Sequence, residues 1–320
     1  MSRPRPGGNV APAALGAVLL LAGLAPLVAP FPPDLQEDVA GARYLPPLAR
    51  AHALRLAPDR VRIVTGLRQT GSGYTALRAG DVEVGTGENL AAPPAPRFYL
   101  LGTDGLGRDL FSRILYGARH SCWVAGLAVG LALLLGAGIG SLAALWGGWR
   151  DAALMRGVDV VMAIPRLMLF LLCATLFEPS TLLLVMVLAA TGWTEIARLV
   201  RGSLLSLRGS DLESAARAAG ARPWRTLVRH LLPQIVPLLV VAAVLRFADT
   251  VVMESAIALL GLGSPPPVVS LGGIMASGRD ALAQAWWIAA APGLLLAAIV
   301  LTLRAAAGSI LRAPEPPPLA

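Results

Sequence analysis

The chain has 320 residues, of which 56% are hydrophobic and only 14% are charged, and its net charge is +8. Soluble domains carry roughly 25% charged residues, so the long uncharged runs of this sequence indicate a helical protein that crosses a membrane several times. Apart from histidine, every basic residue is arginine, which excludes a phosphate-binding loop of the GxxxxGK[ST] type because that loop depends on lysine.

The sequence gives no indication of a catalytic or metal site. Cys122 and Cys173 lie in apolar runs, where cysteine usually serves as a small buried hydrophobe. The three histidines show no ligand spacing, and CxxC, HExxH and GxSxG patterns are absent. We therefore expect no metal, no cofactor and no catalytic residue in this chain. We attribute the arginine excess to membrane topology and lipid contact rather than to nucleic acid.

Six membrane spans are predicted from the uncharged runs. The first lies within residues 6–33 and is interpreted as a retained helix rather than a signal peptide. The other five are predicted at 120–149, 160–177 with a break at Pro165-Arg166, 181–196, 233–260 and 281–303. Arginines concentrate before the first span, in a predicted turn at 147–159 and in the loop 201–233. The positive-inside rule then places these segments and both termini in the cytoplasm.

Four domains follow from this partition. Residues 1–33 form the N-terminus and first span, 34–119 an extracytoplasmic segment with an interfacial helix, 120–310 the membrane core, and 311–320 a tail. Alternating apolar and polar residues at 61–65 and 81–84 predict short β-strands in the second domain. This domain ends in a proline-rich linker at 91–96. The segment 102–109 is predicted to be a structured turn in which Asp104, Arg108 and Asp109 cap and pair locally.

The second predicted span contains four glycines, at positions 130, 136, 138 and 140. Small residues of this kind allow helices to approach each other closely in lipid. We therefore expect this helix to pack tightly against a neighbour.

The loop 201–233 carries the most informative motif, ESAARAAG at 213–220 followed by RHLLP at 229–233. Asp211 and Glu213 would lie near a helix N-terminus, where the dipole favours acids. Alanines including Ala215 and Ala216 favour helix with little side-chain bulk, and Gly220 would end it. The product is a short, thin helix that could enter a groove on another protein. The alternative is an ordinary amphipathic loop.

Ionisable residues within predicted spans mark a second candidate site. Arg246, Asp249 and Glu254 lie in the fifth span, which is the only one for which we predict carboxylates at membrane depth. Arg246 and Asp249 are three residues apart and are predicted to pair on one helix face. These residues are interpreted either as a structural ion pair or as part of a polar translocation path. Arg166 is either a snorkelling side chain beside a kink or a cation facing an anionic or peptidic solute.

The motif at 213–233 resembles the EAA loop of the inner-membrane permeases of binding-protein-dependent ABC importers. More narrowly, the chain resembles the C-type subunit of the dipeptide/oligopeptide/nickel permease family. Four further segments match that family in order, over about residues 98–310: LGTDGLGRDLFSR at 101–113 with YGAR at 116–119; GGWRD at 147–151 with MRGVD at 155–159; TGW at 191–193 with ARLVRG at 197–202; and ESA at 254–256 through LLGLG at 259–263, with PP at 265–266 and GRD at 278–280.

The resemblance implies an all-α, six-span bundle with the type I ABC importer permease fold and a small extracytoplasmic insertion after the first span. It implies a location in the cell inner membrane and three kinds of partner: a second homologous permease, two ATPase subunits or domains that hold ATP and Mg, and an extracytoplasmic binding protein. The implied ATPase-coupling residues are Asp211, Glu213, Ser214, Ala215, Ala216, Gly220, Arg229 and Pro233. In register with Gly220, the family's glutamate falls on Ser214, with Glu213 one residue early.

The implied activity is the translocation of peptides or a related small solute such as a nickel chelate, without bond chemistry in this chain. The implied translocation path includes Arg166, Arg246, Asp249 and Glu254. The alternative function is a secondary transporter driven by an ion gradient. That class is expected to carry carboxylates in several spans and inverted repeats.

Overall fold

A computed structural model of the chain describes residue 20 and residues 23–57, 60–70, 73–77, 83–86 and 93–311. It divides into two compact units. One contains Cys122–Glu254 and the residues from Ala298 onward, and the other contains Leu20–Ser121 and Ser255–Ala297. Helices dominate the first unit, whereas the second combines helices with two small sheets. The described helices are α1 (Ala25–Val28), α2 (Leu110–Trp146), α3 (Gly148–Ala163), α4 (Arg166–Leu176), α5 (Thr181–Ser206), α6 (Asp211–Ala218), α7 (Pro223–Thr226), a π-helical turn (Leu227–Leu231), α8 (Leu232–Leu259), α9 (Leu271–Arg279), α10 (Leu282–Ala285) and α11 (Trp287–Leu311).

Four described helical segments are long and apolar enough to cross a membrane: Leu110–Trp146, Thr181–Ser206, Pro223–Leu259 and Trp287–Gly308. They correspond to the second, fourth, fifth and sixth predicted spans. The third predicted span falls within a pair, α3 and α4, that passes the same test together but is bent by 76°. Most of the first predicted span and nearly all of the tail lie outside the described residues. The described residues therefore contain four helices that could cross a membrane, or five if the bent pair counts as one span.

Two sequence predictions are wrong in this region. The sequence predicts a turn at 147–159, but the helix α3 occupies Gly148–Ala163. Only Gly147 (φ 63°) and Gly148 (φ 59°) take the turn conformation, after which ordinary helix-forming residues resume the helix. The expected interfacial helix and second span are one continuous helix of 37 residues, α2.

The predicted break at Pro165 is confirmed. Ile164, which precedes it, has φ −85° and ψ 120°, the extended conformation that a following proline favours. Pro165 also lacks the N–H that a continuous helix would need. Helix α4 therefore starts anew at Arg166.

The first unit has its core where α2, α5, the π-helical turn and the start of α8 pack together. Buried residues from these helices form one cluster: Ala132, Ala144, Ile196, Val200, Leu204, Leu227, Leu231 and Ile235. A Cβ built on Gly136 would lie 2.6 Å from the carbonyl oxygen of Trp193 and 2.7 Å from Cβ of Ile196. The close helix packing predicted from the glycines is thus confirmed at this position, since only glycine lets the two backbones approach so closely.

The second unit contains two three-stranded antiparallel sheets, with orders β2-β1-β6 and β3-β4-β5. Their strands are β1 (Ala49–Ala57), β2 (Arg60–Val64), β3 (Gly66–Thr70), β4 (Gly73–Leu77), β5 (Glu83–Thr86) and β6 (Ala95–Tyr99). The predicted strands at 61–65 and 81–84 correspond to β2 and to the start of β5, with residues 81–82 outside the described residues. The predicted linker at 91–96 runs into β6, which pairs with β1.

The turn at 102–109 shows the local capping that the sequence predicts. The Asp104 carboxylate accepts hydrogen bonds from the backbone N–H groups of Leu106 (2.9 Å) and Arg108 (3.0 Å) and from Nε of Arg108 (2.8 Å). Asp109 accepts from the backbone N–H of Ser112 at 2.7 Å, which satisfies a free donor at the start of α2. Burial raises the pKa of Asp109 above its ordinary value, against the opposing effect of the Ser112 hydrogen bonds.

Candidate functional site

Helix α6, the candidate coupling helix, is closed at its N-terminus by a reciprocal cap. The hydroxyl of Ser210 accepts a hydrogen bond from the backbone N–H of Glu213 at 3.4 Å. The Glu213 carboxylate in turn accepts from the backbone N–H of Gly209 at 2.6 Å. This is a variant of the capping box in which the glutamate reaches one residue further back than usual. Gly209 has φ 77°, a conformation that favours glycine.

Glu213 is buried by these contacts and by Arg217, whose Nη2 donates to its carboxylate at 2.6 Å. The Gly209 hydrogen bond, followed by the Arg217 and Arg208 guanidiniums, lowers the pKa of Glu213 below its ordinary value despite the opposing effect of burial. The carboxylate is therefore charged at neutral pH. Its contacts fix the start of the helix, so this glutamate faces the chain's own backbone rather than an outside partner.

Arg208 connects the start of this helix to the end of a membrane span. Its guanidinium donates to the backbone carbonyl oxygens of Ala144 and Leu145, the latter at 3.4 Å. These carbonyls belong to the last turn of α2, where helix carbonyls have no partner in the helix and a cation is favoured. Arg208, Glu213 and Arg217 also line a common pocket beneath α6.

Gly220 closes the other end of α6 as the sequence predicts. It has φ 75°, and its N–H donates to the carbonyl of Arg217 at 2.9 Å. The N–H of Ala221 donates to the carbonyl of Ala216 at 3.0 Å. These two bonds define a Schellman motif, in which a residue with positive φ satisfies the free carbonyls of a helix end.

The surface of this loop is largely exposed. Of the predicted coupling residues, Glu213 is buried, Ala216 is half-buried, and the remaining six are exposed: Asp211, Ser214, Ala215, Gly220, Arg229 and Pro233. Three large apolar side chains of the same loop are also exposed, Leu212 by 38%, Trp224 by 56% and Val228 by 43%. The surface of this loop therefore carries both polar and apolar side chains.

The charges at membrane depth are arranged differently from the prediction. Arg246 does not pair with Asp249. Its Nη1 donates to the carboxylate of Glu195 at 3.0 Å, and Nη2 of Arg166 donates to the other oxygen of the same carboxylate. Asp249 instead accepts from Arg304 of α11 at 3.2 Å. The spacing along the helix favoured a pair between Arg246 and Asp249, but each of these residues is paired with a residue of another helix.

Glu195 is a site residue that the sequence prediction missed. It lies within the predicted fourth span, so the expectation that only the fifth span holds carboxylates is wrong. The available signal was simple: an acid inside an uncharged run is unusual at membrane depth. Glu254, the last predicted path residue, is fully buried in α8.

Two further ion pairs join α3 to α5. Arg201 donates to both oxygens of Asp151, at 2.6 and 2.7 Å, and Arg198 donates to Asp159. The acids lie eight residues apart on α3, and their partners follow in the opposite order on α5. The two helices are therefore antiparallel. Among the described residues, no group of three or more His, Cys, Asp or Glu side chains is placed to hold a metal ion.

The family model described as "binding-protein-dependent transport system inner membrane component" matches residues 136–313, which is more than half of the chain and includes α5, α6, α8 and both sets of charges. The chain belongs to this family. The resemblance to ABC importer permeases that the sequence motifs predict is therefore confirmed, and the protein is a multi-pass membrane component of a transport system.

The chain is similar to two named relatives and to one solved structure. A protein of Brucella suis named for a peptide transport system permease is 40% identical over 198 residues, covering 62% of this chain and 67% of the relative. DdpC of Escherichia coli K12, named for D,D-dipeptide transport, is 34% identical over 213 residues, covering 67% and 70%. The inward-facing MetNI methionine ABC transporter matches with a TM-score of 0.53 at 20% identity, covering 62% of this chain and 95% of its own. This likeness confirms the predicted type I importer permease fold.

Proposed function

We propose that the chain is a transmembrane permease subunit of an ATP-driven ABC importer that translocates peptides, or a related small solute such as a nickel chelate. Membership of the binding-protein-dependent family supports the importer class. The names of the relatives from Brucella suis and Escherichia coli support peptides as the solute class. A gradient-driven transporter is not favoured by these comparisons.

The chain would work with three kinds of partner. A second, homologous permease would complete the passage, and an extracytoplasmic binding protein would deliver the solute. Two ATPase subunits or domains would bind ATP and Mg, and this chain itself would hold no cofactor and carry out no bond chemistry. Both termini and the loop around α6 would lie in the cytoplasm of a cell whose inner membrane holds the complex, as the distribution of arginines favours.

The geometry of α6 carries the proposal for how ATP is coupled to transport. The helix is short, exposed and closed at both ends by its own hydrogen bonds, and it is linked to α2 through Arg208. Such a helix can enter a groove on an ATPase and transmit its movement to the spans. Closure of the ATPase pair would then shift the bundle between inward-open and outward-open states as a rigid-body transition.

The test is solute-stimulated ATP hydrolysis in a reconstituted complex with the partner permease and ATPase. We expect Gly220→Asp and Ala216→Arg to leave the complex in the membrane but to reduce stimulated hydrolysis about tenfold or more, because each change alters the face or the end of α6 that meets the ATPase. The matched control is Ala152→Arg, which adds the same charge at an exposed alanine of α3.

Normal coupling in both α6 variants would contradict the proposed role of this helix. An equal loss in the Ala152→Arg control would show that added charge, and not its position on α6, is responsible. Failure of any ATPase to purify with the wild-type chain would contradict the importer proposal as a whole.

A further inference from the structure

Three helices meet at one carboxylate, Glu195, the second-last residue of the predicted fourth span (181–196). Glu195 is residue 15 of the 26 in α5, and Arg246 is residue 15 of the 28 in α8. Each therefore lies about 21 Å from the start of its helix, at 1.5 Å per residue, and inside an apolar run that is predicted to cross the membrane. Arg166 reaches the same carboxylate from the first turn of α4.

The cluster formed by Arg166, Glu195 and Arg246 has more positive than negative charge. Two guanidiniums share the single carboxylate of Glu195. The next carboxylate along α8, Asp249, is engaged by Arg304. Within the described residues these two neighbouring sets thus contain three arginines and two carboxylates. Glu254 lies eight residues beyond Arg246 on α8, about 12 Å along the helix axis, too far for a hydrogen bond.

Part of the cluster is open in the isolated chain. The side chain of Glu195 is 48% exposed and that of Arg166 is 32% exposed, whereas Arg246 is only 8% exposed. Charged groups at this depth are too costly to place against lipid and usually face water or protein. The open side of the cluster therefore faces an aqueous passage or a partner subunit, and Arg246 holds Glu195 from the buried side.

We propose that this cluster is a binding subsite for a carboxylate group of the transported solute, a proposal that rests on the proposed function of the chain as a peptide importer. Arginine and carboxylate form short, charge-assisted hydrogen bonds. A peptide carries such a group at its C-terminus. The solute carboxylate takes the place of Glu195 on Arg166, and the uncompensated positive charge of the cluster makes this exchange favourable. Glu195 remains bound to Arg246 and competes with the solute carboxylate for Arg166. This competition allows the solute to leave.

The test compares uptake of one dipeptide as its free acid and as its C-terminal amide into proteoliposomes that contain the complete transporter. Each peptide is measured with wild-type chain and with Arg166→Gln at a fixed, saturating level of binding protein. The comparison is a double-mutant cycle, so any preference of the binding protein cancels. We expect Arg166→Gln to lower the acid-over-amide preference roughly tenfold to a hundredfold, the range for a charge-assisted hydrogen bond.

Two further variants keep the test decisive even if Arg166→Gln fails to assemble. Glu195→Gln removes the competing carboxylate and is expected to raise the preference for the acid. Arg198→Gln breaks the ion pair between Arg198 of α5 and Asp159, outside the cluster. This variant is expected to leave the acid-over-amide preference unchanged.

Each outcome decides between the two proposals. Uptake by wild type with no change of preference in either cluster variant would overturn the subsite and leave the peptide importer standing. A loss of preference in Arg198→Gln as large as in Arg166→Gln would also overturn it. Absence of uptake of either peptide by an assembled wild-type complex would overturn the peptide proposal, and the subsite with it.

Discussion

At the scale of single residues, Glu213 and Gly220 define the ends of α6. Both are predicted at the helix ends from the dipole and from the special conformation of glycine. The partners of Glu213 were not predictable from the sequence, because its contact with Gly209 depends on a turn whose shape only the structure provides. The same limit applies to Arg208, whose acceptors lie more than 60 residues away in the chain.

A pair of glycine-to-alanine changes tests the conformation at the end of α6. Gly220 has φ 75° and no described atom within 4 Å of the position that a Cβ would occupy, so alanine there suffers backbone strain of about 1 kcal/mol without a clash. Gly202 also has open space but lies in α5 with ordinary helical geometry, so alanine there favours the helix by up to about 1 kcal/mol.

The expected result is lower amide protection of α6 in hydrogen exchange for Gly220→Ala and unchanged or higher protection of α5 for Gly202→Ala. Equal protection of α6 in wild type and Gly220→Ala would contradict the positive-φ cap.

At the scale of elements, the positions of the apolar helices were more predictable than the contacts between them. Uncharged runs revealed the spans because the requirement for apolar residues is local and strong. The 76° bend between α3 and α4 was not predictable, although Pro165 revealed its position. Asp151 and Asp159, whose arginine partners lie 50 and 39 residues away on α5, likewise depend on helix packing that sequence spacing does not specify.

Packing between α2 and α5 can be tested at two glycines of the same helix. A Cβ at Gly136 would lie closer than 3 Å to α5, so Gly136→Ala must push the helices apart and is expected to destabilise the protein by about 1–3 kcal/mol. At Gly138 no described atom lies within 4 Å of the added Cβ, so Gly138→Ala is expected to be neutral or slightly stabilising.

Thermal unfolding of the purified protein in detergent would distinguish the two variants. Similar midpoints for Gly136→Ala and Gly138→Ala would argue against close contact between α2 and α5.

At the scale of the whole molecule, the family motifs predicted the class of protein and its fold, because they come from the helices and loops that the family shares. They did not predict the strand pairing of residues 49–99, where short β-strands join segments distant in sequence, such as β1 and β6. Of the candidate sites, the two ends of α6 were predicted from the sequence, whereas the coupling role of this loop stays a prediction. The charged cluster was predicted only through its arginines, because Glu195 was overlooked.

The orientation of the chain in the membrane is a whole-molecule prediction. We expect the α7 side to be cytoplasmic and the loop between α8 and α9 to be extracytoplasmic. A membrane-impermeant maleimide should therefore label Pro265→Cys in intact spheroplasts but label Trp224→Cys only after permeabilisation, since both positions are exposed. Labelling of the parent chain, with Cys122 buried and Cys173 partly buried, provides the background to subtract. The reverse pattern would invert the topology.

The two glycines with positive φ on either side of α6, Gly209 at 77° and Gly220 at 75°, have a mechanical consequence. The N–H of Gly209 is held by Glu213 and the N–H of Gly220 by Arg217, so these bonds keep both glycines in their conformations and the helix does not turn freely about either of them. A push on α6 would therefore move the helix and its two end turns together. The guanidinium of Arg208 would carry part of that movement to the end of α2.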